Sequence, residues 1–205
     1  MRGTPHRPGG AARAGALSNL ALGLVTLREA RRLARAPGVR PAWARTFGWL
    51  GAGAVAGALH HGGRGPRPSW GTVGWLLGMG LAGLLEASAE EAGARHPGAA
   101  RALGRAGPAV YGALLGTGRR GLDALVRAQG PAMAASVGVW VRAARAGDPR
   151  ARLVLRAMAA SAGAAAVRRL VPERVGGRRV DRDTLYHLAQ IPGVLLLSRA
   201  VRDAR

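Results

Sequence analysis

The residues of this sequence best suited to chemistry are histidines and an aspartate in two short segments. His60 and His61 are adjacent and precede Gly62, and Asp183 lies four residues before His187. On a helix, residues four apart project from the same face, whereas adjacent residues point about 100° apart. Two or three imidazoles with a carboxylate are a usual ligand set for zinc, and they leave one position for an activated water. The candidate zinc ligands are therefore His61, His187, Asp183 and His60.

Three of these four candidates also have a simpler interpretation. His60 and His61 could lie in the headgroup region at a helix end, where histidine complements the C-terminal dipole. Asp183 could be a helix N-terminal charge that the same dipole favours. His187 is followed directly by an apolar run, and a polar side chain at membrane depth marks a site by default.

The elements that position these residues are predicted from composition to be membrane helices. The chain has 205 residues, of which 48% are hydrophobic and 33 are glycine, whereas only 4% are aromatic. Soluble cores depend on aromatic side chains for buried area, but membrane helices pack through small residues. We therefore expect an all-α polytopic membrane bundle of about seven transmembrane helices. The alternative is a soluble, basic, alanine-rich bundle, which would have to explain why Trp75–Leu85 is apolar all round.

Proline, glycine and arginine separate the candidate helices. A basic tail over residues 1–15 is expected to be disordered, and residues 16–205 are expected to form the transmembrane domain. The seven candidate segments are Ala16–Leu27 (continuing to about Ala36), Trp43–His61, Trp70–Leu85, Ala99–Thr117, Leu122–Val141, Leu153–Val167 and Asp183–Arg202.

Alternation of these helices across a membrane brings three polar groups to one side. Ser18–Asn19 begin the first segment, His60–His61 end the second, and Asp183–His187 begin the seventh. The acidic cluster Glu86–Glu91 belongs to the opposite side, and we expect it to form a solvated helix end.

The charge pattern favours a membrane lipid over nucleic acid as the partner. The net charge is +21, and all 31 basic residues are arginines. They fall in small clusters between apolar stretches, as loop and interface arginines do on either side of a bilayer. The richness in Ala, Gly and Arg is typical of a GC-rich bacterial coding sequence. We therefore expect an integral protein of the bacterial inner (cell) membrane that does not bind nucleic acid.

Three motifs together resemble a known superfamily. They are A-L-S-N-L at Ala16–Leu20, G-A-L-H-H-G at Gly57–Gly62 and D-x-L-Y-H-L-x-Q at Asp183–Gln190. In this order the chain resembles bacterial, largely uncharacterised members of the alkaline ceramidase and adiponectin-receptor-like superfamily of seven-helix membrane hydrolases. In that superfamily zinc is held by one histidine of the second helix and two of the last. A serine and an aspartate complete the site, which hydrolyses lipid amide bonds in the ceramidases.

The resemblance implies His61 or His60 as the second-helix ligand and His187 as a last-helix ligand. Ser18 and Asn19 match the Ser-Asn pair of the first helix, which looks structural in the superfamily.

The sequence departs from the superfamily at other positions. Ala56 and Gly57 stand where a serine precedes the second-helix histidine by four residues, and Asp183 replaces one last-helix histidine. The early third segment offers Ser69 and Thr72 in place of an aspartate.

Taken as a whole, the resemblance implies a zinc-dependent hydrolase of a lipid amide or ester. The alternative is a non-catalytic membrane protein that keeps the scaffold without a working metal site.

Overall fold

The computed structural model describes residues 10–62, 67–93, 96–119, 121–172, 174–175, 178–179 and 181–203. Within these ranges the predicted all-α class is confirmed, with seven helices and one short hairpin before the last helix. The helices are α1 (Gly10–Arg35), α2 (Pro41–Gly62), α3 (Trp70–Glu91), α4 (Pro97–Gly116), α5 (Leu122–Arg145), α6 (Ala151–Leu170) and α7 (Arg182–Arg202). The hairpin pairs β1 (Arg174–Val175) with β2 (Arg178–Arg179) in antiparallel register.

The helix bounds follow local signals that the apolar runs alone do not reveal. α1 begins at Gly10, earlier than the predicted Ala16, because alanine-rich sequence continues the helix beyond the apolar run. Residues 1–9 of the predicted tail lie outside the described residues. Ser69 caps α3 by accepting a hydrogen bond from the Thr72 amide at 3.0 Å. Gly38 and Gly147 follow α1 and α5 at φ of 73° and 86°, a conformation that favours glycine.

Consecutive helices run antiparallel, and glycines bring their backbones close together. A Cβ atom placed on Gly23 of α1 would lie 3.0 Å from the Val55 backbone nitrogen of α2. One placed on Gly51 would lie 3.0 Å from the Leu27 nitrogen. Side chains larger than hydrogen would therefore push the two helices apart, so these glycines set the spacing of α1 and α2.

α7 packs beside α1 and closes the bundle. The Ser18 hydroxyl meets His187, and the Ser198 hydroxyl meets Glu29, with a separation of 169 residues in both pairs. Because the separation is the same at both contacts, α1 and α7 run parallel in constant register. On its other side α7 packs against α6, where a Cβ on Gly193 would lie 3.1 Å from the Ala157 carbonyl oxygen.

The bulky apolar core lies at one end of the bundle. Its largest side chains are Trp43, Phe47 and Trp140, each at most 1% exposed. They cluster with Leu33 and Val154, so the core gathers the ends of α1 and α5 with the starts of α2 and α6. The opposite end comprises the starts of α1 and α7 and the end of α2, and it carries the histidines.

Among the described helices, α3 is long and apolar enough by length and composition to cross a membrane, and half of its apolar window is buried inside the bundle. One such helix is weak evidence for a membrane protein, because the core helix of a soluble protein has the same length and composition.

Candidate functional site

Three helices meet at the end of the bundle that we call the histidine end, defined by Ser18, His60, His61, Asp183 and His187. A Cβ on Gly62, the last residue of α2, would lie 2.7 Å from the Ala16 Cβ of α1. A Cβ on Gly15 would lie 3.4 Å from the Asp181 carboxylate just before α7. The structure therefore places the three predicted polar segments at one end of the bundle.

His187 is the most enclosed of the candidate ligands. Only 8% of the residue is exposed, and its Nδ1 lies 3.2 Å from the Ser18 Oγ. The Ser18 hydroxyl donates to the Gly15 carbonyl at 3.0 Å. Because a hydroxyl has a single proton, Ser18 then accepts the Nδ1–H of His187, and the Nε2 lone pair of this tautomer is left to bind a ligand. Ser18 thus orients His187.

His60 and His61 have different surroundings. The His60 Nδ1 donates to the Pro68 carbonyl at 2.7 Å, and its ring packs on Trp70 with centroids 4.8 Å apart. His60 therefore belongs to the connection between α2 and α3. His61 lies close enough to His187 and to Asp183 on α7 to interact electrostatically with both. The His61 ring also contacts Trp70, with centroids 5.4 Å apart, so His61 lies between this connection and the start of α7.

Asp183 forms an ion pair with Arg168. Its Oδ1 accepts a hydrogen bond from the Arg168 Nε of α6 at 2.6 Å, and 45% of its side chain is exposed. The neighbouring Asp181 caps α7, since its Oδ1 accepts from the Asp183 amide at 3.1 Å. Asp181 was not predicted from the sequence, although an aspartate directly before an apolar periodic segment is a recognised helix-start signal.

The remaining residues of the third motif form a second polar pair. The Gln190 amide donates to the Tyr186 hydroxyl at 2.8 Å, and the Tyr186 ring lies 5.3 Å from that of His187. Tyr186 thereby forms part of the wall beside the imidazole. The motif Asp183–Gln190 thus supplies both the imidazole and its surroundings.

The four candidate ligands do not converge on one point. Over the ranges that the structure describes, no three His, Cys, Asp or Glu side chains are arranged to hold one metal ion. His61 and His187 offer two imidazoles, while Asp183 is paired with Arg168 and His60 with Pro68. A zinc site would need Asp183 to leave Arg168, or water to fill the remaining positions. The zinc set stays a prediction.

Among known protein families, one family model matches the chain. Residues 14–205 match a family of unknown function (DUF6962). The chain belongs to this family. The match includes all of the histidine end. No curated protein and no solved structure matches the chain.

The end of the bundle opposite the histidines carries paired charges. We call it the carboxylate end and define it by Glu29, Glu86, Glu90, Glu91 and Asp148. Glu29 is 1% exposed; it accepts from the Ser198 hydroxyl at 2.6 Å and from the Arg32 guanidinium at 2.8 Å. Arg202 lies 3.9 Å from its second oxygen. These contacts join α1 to the end of α7.

The acidic cluster at the end of α3 also differs from the predicted solvated helix end. Glu86 pairs with Arg101 at 3.0 Å, and Glu91 pairs with Arg40 at 3.5 Å and with Arg150. The cluster lies at the end of the bundle opposite the histidines, as predicted, but it is only partly solvated because arginines from α4 and from two loops pair with it. Periodicity within α3 does not reveal these partners.

Proposed function

We propose that this chain is an integral membrane protein of the bacterial cell membrane whose seven helices cross the bilayer. This proposal rests on the distribution of apolar and polar side chains around the bundle. Large apolar side chains are exposed along the helices, including Leu17, Leu24, Trp75, Val110, Met133, Val137, Leu188 and Leu195. Polar side chains are buried inside, including Ser18, Asn19, Thr26, Gln129, Ser136, His187 and Ser198. Water-soluble proteins favour the reverse, whereas a lipid solvent favours apolar residues outside and polar residues facing the interior.

Each helix also contains one stretch without arginine, aspartate or glutamate. These stretches are residues 14–27, 46–59, 70–85, 106–116, 128–141, 157–167 and 184–198. At 1.5 Å per residue they are roughly 17–24 Å long, shorter than a hydrocarbon core of about 30 Å. The arginines that flank most of them can extend their guanidinium groups toward the headgroups, which supplies the missing length.

Extraction of isolated membranes tests this location. We expect the chain to stay in the membrane pellet after washes with high salt and with alkaline carbonate, and to dissolve only in detergent. A protein held by its arginines alone would be released by salt, because screening weakens surface charge interactions. Release by either wash would overturn the membrane proposal.

We further propose that the histidine end is the site of a zinc-dependent hydrolase acting on a lipid amide or ester. The supporting observation is the meeting of α1, α2 and α7, where Ser18 holds His187 with its Nε2 directed away from that contact. His61 and His187 are the proposed ligands, with His60 and Asp183 as further candidates. The chemistry that zinc supplies in such sites is the activation of a water for attack on a carbonyl carbon. The motif resemblance to the alkaline ceramidase and adiponectin-receptor-like superfamily supports the same substrate class.

Metal analysis of the detergent-purified protein tests the ligands. We expect about one zinc per chain in the wild type and loss of that zinc in His187→Ala and His61→Ala. His96→Ala is the matched control, because His96 lies exposed at the start of α4. Absence of stoichiometric zinc from the wild type, or equal zinc in all three variants, would overturn the metal proposal.

The second candidate function is a non-catalytic membrane scaffold, and one contact favours it. Arg168 neutralises Asp183, the one carboxylate among the candidate zinc ligands. A panel of N-acyl and O-acyl lipids separates the two candidates. Fatty-acid release that disappears in His61→Ala supports the hydrolase, and no release by zinc-loaded protein supports the scaffold.

A further inference from the structure

A cleft away from the histidine end opens between α2, α3 and α4. Its volume is about 210 Å³, and its walls combine apolar side chains such as Trp49 and Met79 with the arginines Arg45 and Arg105. Ligand pockets for whole small molecules usually measure about 300–1,000 Å³. The cleft is therefore sized for part of an elongated molecule rather than for a compact substrate.

The charges around the cleft are not balanced. Arg101 is neutralised by Glu86 at 3.0 Å and by Glu90 at 3.5 Å. Arg45 and Arg105 line the same cleft but form no hydrogen bond or ion pair with any described residue. Two unpaired guanidinium groups beside an apolar wall match an anionic head attached to an apolar tail.

The depth of the cleft indicates which anionic molecule fits it. Arg45 and Arg105 each stand directly before a charge-free stretch, at residues 46–59 of α2 and 106–116 of α4. In the proposed membrane orientation, which this inference requires, both arginines lie at headgroup level and the apolar wall continues toward the acyl chains. We propose that this cleft binds an anionic phospholipid, with the phosphate between Arg45 and Arg105 and one acyl chain along Trp49. Basic pockets between membrane helices are known to bind such headgroups.

Native mass spectrometry of the detergent-purified protein tests the proposal with an anionic phospholipid and a zwitterionic one of the same acyl chains. We expect the anionic lipid to bind about 25-fold more tightly, since each arginine near an anionic headgroup contributes roughly five-fold. The double variant Arg45→Gln/Arg105→Gln should lose this preference. The double variant Arg142→Gln/Arg145→Gln is the matched control, because it removes the same charge from exposed positions of α5 outside the cleft.

Competition with inorganic phosphate distinguishes a lipid headgroup from a free anion. Phosphate should displace the lipid only weakly, because it lacks the acyl chain that contacts Trp49. Equal binding of the two lipids, an unchanged preference in Arg45→Gln/Arg105→Gln, or full displacement by phosphate would each overturn the lipid site. These outcomes are distinct from failure of the membrane location, which the carbonate wash measures separately.

Discussion

The two ends of the bundle use polar residues in different ways. At the carboxylate end, Glu29 meets two arginines and a serine, and Glu91 meets two arginines, so charges neutralise one another. At the histidine end, His187 meets the neutral Ser18 and His60 meets a backbone carbonyl. These two contacts orient imidazoles without neutralising a charge, whereas an ion pair at this end joins Asp183 to Arg168. The first set of contacts therefore links helices through charge, while the second holds His187 and His60 in fixed orientations, as the proposed zinc site requires.

α1 and α7 contribute to both ends, so the same helix pair allows a controlled comparison. One hydroxyl of α1, Ser18, contacts α7 at the histidine end, and one hydroxyl of α7, Ser198, contacts α1 at the carboxylate end. Substitutions in this pair of helices should therefore separate loss of stability from loss of ligand binding.

The largest effect should come from Glu29→Ala at the carboxylate end. Removing a buried carboxylate leaves Ser198 and the nearby arginines without their acceptor, and breaking such a pair typically costs about 3–5 kcal/mol of unfolding free energy. Thermal and denaturant unfolding in detergent measures the loss. The fraction that remains folded should still bind the zinc that we propose for the histidine end.

Glu90→Ala is the control for that variant. Its side chain is 26% exposed and has one long contact of 3.5 Å to Arg101, so its removal should cost less than about 1 kcal/mol. Similar losses in the two variants would contradict the assignment of Glu29 as the main charged link between α1 and α7.

The second-largest effect is expected in the Ser18→Ala variant, on its affinity for zinc. Loss of the hydroxyl frees the His187 ring to rotate, and removal of such a supporting contact lowers metal affinity about 10–100-fold. Zinc affinity is measured by competition with a chelator. Ser198→Ala removes the same group from the other end, so it should lower the unfolding temperature and leave zinc affinity unchanged. If both variants lose zinc equally, the functional difference between the ends does not exist.

A smaller effect is expected between the ends, where glycines set the spacing of α1 and α2. In Gly51→Ala the new Cβ would lie 2.7 Å from the Leu27 Cγ and 3.0 Å from its backbone nitrogen, so the helices must separate. Overpacking of this kind costs about 1–3 kcal/mol. Gly48→Ala, one turn earlier on α2, has no heavy atom within 4 Å and should stabilise the helix by about 0.5–1 kcal/mol. Shifts of unfolding temperature in the same direction would show that close packing does not hold these helices.

The sequence predicted the histidine end better than the carboxylate end, and the reason is physical. Alternation of helices across the bundle was sufficient to bring Ser18, His61 and His187 to one end. Glu29 lies among arginines in α1 and resembles a solvated charge run, since its partner Ser198 is 169 residues away. Likewise, the spacing of Asp183 and His187 predicts a shared helix face, but it contains no information about Arg168 on α6, which engages Asp183.

The smallest predicted effect is at Asp148 of the carboxylate end, where the unfolding free energy should depend on pH in the acid range. The Arg150 guanidinium hydrogen-bonds Asp148 at 3.1 and 3.0 Å and holds the pKa of this carboxyl below its ordinary value of 3.8. A lowered pKa adds stability above pH 3.8, and that stability is lost as the pH falls through the lowered value. Asp148→Asn should therefore cost about 1 kcal/mol at pH 6, and the difference from wild type should shrink below pH 3.8. Unfolding temperatures across this range measure it. The control is Asp203→Asn. The Asp203 side chain is 55% exposed, so this variant should change the unfolding free energy by only a few tenths of a kcal/mol. A difference for Asp148→Asn that persists unchanged into acid would place the stabilising charge elsewhere at this end.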